Sequence, residues 1–137
     1  EAIKSIHSNE NHLVISASTA SGKTEAAFLP IVSEMLKNPV SGIYTIYIGP
    51  LKALINDQFR RVEELCQRSE IPVHKWHGDV LASKKKVIKT SPKGILLITP
   101  ESLESILINH TSNLFKMFSN LKYIVIDEMH SFIGEER

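Results

Sequence analysis

At 137 residues, with 42% hydrophobic and 23% charged side chains and a formal net charge of +1, the chain is sized for one folded domain around one core. This balance excludes a disordered or low-complexity chain, and no apolar run approaches the ~20 residues of a membrane helix. A near-neutral charge neither demands nor excludes nucleic acid, because charge can gather on one face.

The opening stretch, EAIKSIHSNEN, is amphipathic and mixed in charge, unlike a secretory signal. Apolar, β-rich runs follow at 12–17 (HLVISA), 42–49, 72–78, 94–100 and 121–128. Between the first two, Thr24 to Leu36 repeats apolar residues at Ala27, Phe28, Ile31, Val32, Met35 and Leu36, which predicts a helix. Pro30 lies inside it and is expected to kink or loosen one turn. Leu54 to Arg68 sets Leu54, Ile55, Phe59, Val62 and Leu65 on one side of a second helix. Shorter helices are predicted around 80–89, 101–110 and 112–118. Strands alternating with helices predict an α/β fold, a parallel sheet with helices on both faces. The continuous runs ILLI and YIVI read as strands buried on both sides. The chain starts inside an amphipathic helical stretch and stops soon after its last predicted strand, so 1–137 reads as one incomplete domain of a longer protein.

A lone cysteine, Cys66, excludes an internal disulfide and points to an intracellular setting. Its place in RRVEELCQR predicts burial on a helix face.

The chemistry concentrates first in ASTASGKT, Ala17 to Thr24, which follows a predicted strand and opens a predicted helix. That context is the one a phosphate-binding loop requires. Successive backbone N–H groups and the helix N-terminus form a concave anion site. Small side chains at Ser18, Thr19, Ala20, Ser21 and Gly22 let the backbone approach phosphates. Lys23 then reaches the β- and γ-phosphates of a nucleotide, and the Thr24 hydroxyl ligates Mg²⁺. Ala17 stands where the general motif has glycine, a departure tolerable for a residue leaving a strand. The bland alternative is a Ser/Thr-rich turn capping a helix beside a solvated lysine.

A second constellation is YIVIDEMH, Tyr123 to His130. Two acids at the carboxyl end of an apolar strand are costly unless they meet cations. In a parallel sheet that end faces the same crevice as the phosphate loop. Asp127 is therefore expected to hold Mg²⁺, directly or through water, and Glu128 to orient or deprotonate the attacking water. Alone, the pair is a weak signal, and its plainer reading is a solvated helix cap.

Together, ASTASGKT and DEMH resemble motifs I and II of superfamily 2 helicases in their DExH form. IGPLKALINDQF (48–59) is similar to motif Ia of Lhr-like and Ski2-like helicases, and HGDV with ILLITPESLESIL to the region through motif Ib. DEMHSFIGEER resembles the corresponding run of the Lhr-like branch. The resemblance implies the first of two RecA-like domains, with ATP and Mg²⁺ as cofactors and DNA or RNA crossing the top. It implies roles for Thr19, Ala20, Ser21, Gly22, Lys23 and Thr24 in ATP binding, with Lys23, Asp127 and Glu128 supporting hydrolysis. By the same resemblance His130 couples nucleotide to nucleic acid. Pro50, Leu51 and Lys52, with Thr99, Pro100 and Glu101, lie along the nucleic-acid backbone, which predicts low sequence preference and strong salt dependence. A second RecA-like domain of the same chain is the implied partner, and no membrane is implied. Two other readings are a P-loop kinase or other non-helicase ATPase, and a binding module with a dead phosphate loop.

Several residues carry plainer readings alongside. Lys52 also reads as a solvated helix-start lysine, and Thr99 as a helix cap with Glu101 favoured by the helix dipole. Lys84, Lys85 and Lys86 read as a solvated helix face, and Trp76 as core. His74 and His77 are three apart on a predicted strand and so face opposite sides, which argues against a shared zinc. Met129 is expected to pack beside the strand end.

Overall fold

Four of the five β-rich runs pair into one parallel sheet. The computed structural model describes residues 12–16 and 22–132. Its strands are β1 (Gly42–Ile48), β2 (Val73–Trp76), β3 (Lys93–Ile98) and β4 (Tyr123–Ile126), in the spatial order β2-β3-β1-β4. The helices are α1 (Lys23–Lys37), α2 (Lys52–Cys66), α3 (Ala82–Thr90), α4 (Pro100–Asn109) and α5 (Thr111–Phe118), with a short 3₁₀ turn at Met129–Phe132. Because neighbouring strands are parallel, each connection must cross back over a face, and helices make those crossings.

Each face has its own core. On one, Phe28, Ile31, Val32 and Met35 of α1 and Ile55, Val62 and Cys66 of α2 close over Tyr44, Tyr47, Ile95 and Leu97. On the other, Ile88 of α3, Ile106 of α4 and Met117 of α5 close over Ile43, Ile46, Trp76, Leu96 and Ile98. Ile95 to Ile98 are fully buried, as expected for a central strand covered twice. The pleat of β1 is broken by a register shift between Ile43 and Thr45. One extra residue there sends both Tyr44 and Tyr47 to the α1 side, an odd separation that an unbroken strand would split between faces.

Two expectations are corrected. YIVI is not buried on both sides: Ile124 is 59% and Ile126 51% exposed. β4 is ladder-paired only to β1 among the described residues, and the second core does not extend to it. HLVISA does not form a strand over 12–16, where Val14 is 74% exposed. A strand needs a ladder, and these residues have none among the described ones; Ala17 lies outside them. Smaller differences concern ends. α2 begins at Lys52, before the expected Leu54, and α1 runs through a buried Pro30 as one element.

At the amino ends of the strands, Glu34 of α1 is 9% exposed and accepts hydrogen bonds from Lys122 and Tyr123 at the entry to β4. Burial pushes its carboxyl up, but the ammonium and phenol outweigh that and hold it below its ordinary range. Cys66 is buried on α2 as expected, and burial pushes its thiol up. No helix among the described residues is long and apolar enough to cross a membrane.

Candidate nucleotide site

Among the described residues, Pro50–Lys52, Thr99–Glu101 and Asp127–His130 follow the carboxyl ends of β1, β3 and β4. Gly22 precedes α1 with φ +77°, a left-handed conformation that glycine adopts without strain. It turns the chain so that Lys23 and Thr24 open the helix. No side chain among the described residues caps this N-terminus. Thr19, Ala20 and Ser21, expected to cradle phosphates, lie outside the described residues together with Ala17 and Ser18.

Thr24 does not stand alone. Its hydroxyl donates to Gln58 Oε1 of α2 at 2.7 Å. One turn along the same face of α1, Phe28 packs on Tyr47 with ring centroids 6.1 Å apart. The Tyr47 hydroxyl in turn donates to Asp127 Oδ2 at 2.5 Å. Thr24 and Asp127, a hundred residues apart in the sequence, are thus held by one continuous set of contacts.

Asp127 is anchored at both oxygens. Its Oδ1 accepts the Glu128 N–H at 2.8 Å, and its own N–H continues the ladder to Ile48 O at 3.0 Å. Glu128 has φ +51°, a costly conformation for a non-glycine residue, of order 1–3 kcal/mol. This turn brings the Glu128 N–H back onto Asp127. Tyr47 is 2% exposed; burial pushes its phenol well above the ordinary range, and the neighbouring Asp127 pushes it further. It therefore stays a proton donor to the carboxylate. Each carboxylate oxygen keeps a lone pair for a further donor or a cation. His130 is 78% exposed in its side chain and pairs with Glu128, Nε2 to Oε2 at 3.2 Å.

The residues expected along nucleic acid follow two adjacent strand ends, since Ile48 of β1 pairs with Ile98 of β3. Leu51 caps α2 in an extended conformation, and Lys52 opens it. Lys52 is solvent-exposed as one reading expected, and its Nζ lies 3.2 Å from Asp79 Oδ1 in the HGDV loop. Thr99 occupies the cap position of α4, with Pro100 as the first helical residue. It is 5% exposed, and its hydroxyl donates to Ser102 Oγ at 3.0 Å and accepts no capping hydrogen bond from a backbone N–H. Glu101 is exposed in the first turn, where a negative charge suits the helix dipole.

The HGDV loop is held by a histidine. His77 is 4% exposed; the Asp79 N–H donates to its Nδ1 at 3.2 Å, and Nε2 meets Asn56 Oδ1 of α2 at 3.0 Å. Both ring nitrogens are used only by the neutral tautomer with its proton on Nε2. Burial pushes both His77 and His74 below the ordinary histidine range, with the Lys75 charge adding to the effect at His77. The unfolded chain therefore takes up these protons first as pH falls. Their stabilisation is complete above the unfolded value near pH 6.5 and is lost as pH falls from there toward the folded values. Urea unfolding should show lower stability at pH 5 than at pH 7. His77→Gln should make that slope shallower, and an unchanged slope would remove His77 from this role.

Trp76 is core, with the Lys85 ammonium 5.7 Å from its ring centroid, while Lys84 and Lys86 are exposed. Met129 lines a shallow apolar recess with Ile126 and Phe132 but remains 47% exposed.

Sequence reasoning missed Gln58, Tyr47 and the His77–Asp79 pairing. Gln58 had a visible signal, because it sits three residues after Ile55 and four before Val62, a polar residue in an apolar stripe. Tyr47 had none, since its direction depends on the β1 bulge.

A parallel sheet covered by helices on both faces, with a Gly-Lys-Thr helix start and an Asp-Glu strand end at one edge, defines a RecA-like domain. This chain belongs to the DEAD/DEAH box helicase family, whose sequence model matches residues 1–137. Among its relatives, the ATP-dependent helicase Lhr-Core of Methanocaldococcus jannaschii is 35% identical across 98% of this chain. Lhr-Core of Saccharolobus solfataricus is 37% identical across 99%. The chain spans 18% and 17% of the lengths of these two relatives. Similar solved structures include the DUF1998 helicase MrfA bound to DNA and AMPPNP, with TM-score 0.86 and 29% identity over 97% of this chain and 18% of that one. The helicase Lhr of Mycobacterium smegmatis, bound to ssDNA and AMP-PNP, gives TM-score 0.77 and 28% identity over 94% of this chain and 18% of that one.

Proposed function

We propose that residues 1–137 are the nucleotide-binding part of the first of two RecA-like domains in an intracellular ATP-dependent helicase acting on DNA or RNA. The observation that carries this reading is the path from Thr24 along α1 to Phe28, across the Phe28–Tyr47 ring contact and through the Tyr47–Asp127 hydrogen bond, which ties a hydroxyl and a carboxylate to one end of the sheet. The donor set suits Mg²⁺: oxygen atoms only, few of them from protein, each with lone pairs to spare. Thr24 and Asp127 would hold the ion, which when bound neutralises charge building on the phosphates. Lys23, with the first-turn N–H groups of α1, draws in the phosphate tail. Glu128, beside Asp127 and paired to His130, accepts the proton of the attacking water. His130 bears on Glu128 and is exposed, so it can report nucleic-acid binding to the hydrolytic carboxylate. Pro50, Leu51, Lys52, Thr99, Pro100 and Glu101 follow adjacent strand ends and offer helix N-termini to a phosphate backbone.

In the full-length protein, single-stranded nucleic acid is expected to stimulate ATP hydrolysis. Glu128→Gln should cut the stimulated rate by at least about 100-fold while leaving Mg-ATP bound. The isolated chain should not unwind a duplex. ATP hydrolysis indifferent to nucleic acid would favour a non-helicase ATPase or kinase instead.

A further inference from the structure

Gln58 is a polar side chain 7% exposed in the middle of α2, and no role described so far uses it. A polar group taken out of water is costly unless it finds a hydrogen-bond partner. Its Oε1 accepts the Thr24 hydroxyl proton at 2.7 Å. A hydroxyl carries one proton and two lone pairs. With the proton committed to Gln58, both lone pairs of Thr24 Oγ1 are left on the side away from α2. A cation needs such a lone pair, and a hydroxyl whose proton could swing into that space would repel it. The amide is suited to this task because it is neutral, so it can be buried without an ion's desolvation cost.

We propose that Gln58 is a positioning residue for metal binding: it takes the Thr24 proton and so orients the Thr24 oxygen toward a divalent cation. This rests on the nucleotide-site reading above. Partners that orient metal ligands in this way commonly alter metal affinity 10–100-fold when removed. Gln58 also lies within two turns of Lys52 on one helix. The helix whose first turn would meet nucleic acid therefore also fixes the oxygen that meets the metal, and a shift of α2 acts on both.

The test is a binding titration on the full-length protein with a fluorescent non-hydrolysable ATP analogue, in Mg²⁺ and in EDTA. The ratio of the two affinities measures the cation's contribution. Gln58→Met, similar in length but apolar, should lower that ratio by about 10-fold and leave the EDTA affinity unchanged. Gln58→Glu, which keeps an acceptor there, should retain most of the ratio. In a Thr24→Val background, Gln58→Met should change nothing further, because the hydroxyl it orients is gone. If Gln58→Met does not fold by circular dichroism, Gln58→Asn, which withdraws the acceptor by one methylene, carries the same expectation. An unchanged ratio in a folded variant, or an equal loss in Mg²⁺ and EDTA, overturns the proposal. Failure of the underlying site reading looks different: Lys23→Ala would then leave the affinity unchanged in both media.

Discussion

Lys23→Ala should lower Mg-ATP affinity by roughly 100-fold, the loss of charge-assisted hydrogen bonds to two phosphates at about 1.5–3 kcal/mol each, offset in part by the remaining backbone donors. Lys23 opens α1 directly after the left-handed Gly22. Alanine is a good helix former, so the substitution should leave the fold intact and the loss should fall on binding alone. Calorimetric titration of the full-length protein, wild type against variant, measures it directly. Lys37→Ala, at the far end of the same helix, serves as the control and should bind as the wild type does. An unchanged affinity in Lys23→Ala would refute the role given to this lysine.

The second large effect falls on stability. Gly94 of β3 has φ +82°, and a methyl group added there would overlap the Pro72 carbonyl oxygen. That oxygen cannot retreat freely, because it accepts the Ile95 N–H at 3.0 Å at the start of the β2–β3 ladder. Gly94→Ala therefore combines backbone strain of about 1–3 kcal/mol with a clash of similar size. The melting temperature should fall by roughly 10 °C or more, read by circular dichroism. Gly22→Ala is the comparison: it has φ +77°, but among the described residues a methyl group there would meet only Glu25 Oε2, at an ordinary 3.9 Å, so it should cost the strain alone. A loss at Gly94 no larger than at Gly22 would show that the Pro72 contact relaxes away.

The order of strands and helices was legible because apolar runs of strand length alternate with segments of helical period. ILLI was read correctly as a doubly covered strand, and YIVI was not, although the two look alike in composition. What separates them is position: β3 lies between β2 and β1, while β4 pairs with β1 alone among the described residues. Sheet order depends on long-range pairing, which local pattern does not encode. HLVISA shows the same limit, since apolar content supplies propensity and only a neighbour supplies the ladder. Lys23, Thr24, Asp127 and Glu128 stood out as candidates because phosphate and metal chemistry restricts residue types at fixed spacing. Their supports did not. Tyr47 and Gln58 are ordinary core-stripe positions in the sequence, and their hydrogen bonds exist only once α1, α2, β1 and β4 are assembled.

The register shift in β1 also sets how this strand can tolerate change in length. A β1 shortened by one residue before Tyr44, so that Tyr44 itself had to pair with β3, could keep its ladder to β3 and β4 and its loop lengths. Because side chains alternate, Tyr44 would then be sent through the sheet to the face of α3, α4 and α5, and Tyr47 would keep its face only while the pairing beyond Thr45 held. If the pairing toward the carboxyl end slipped, Asp127 would lose its phenol with no site residue altered. Sequence comparison by residue identity would score such a variant as intact. Counting residues from the bulge to the strand end is thus a separate criterion for whether a related domain keeps a supported acid pair.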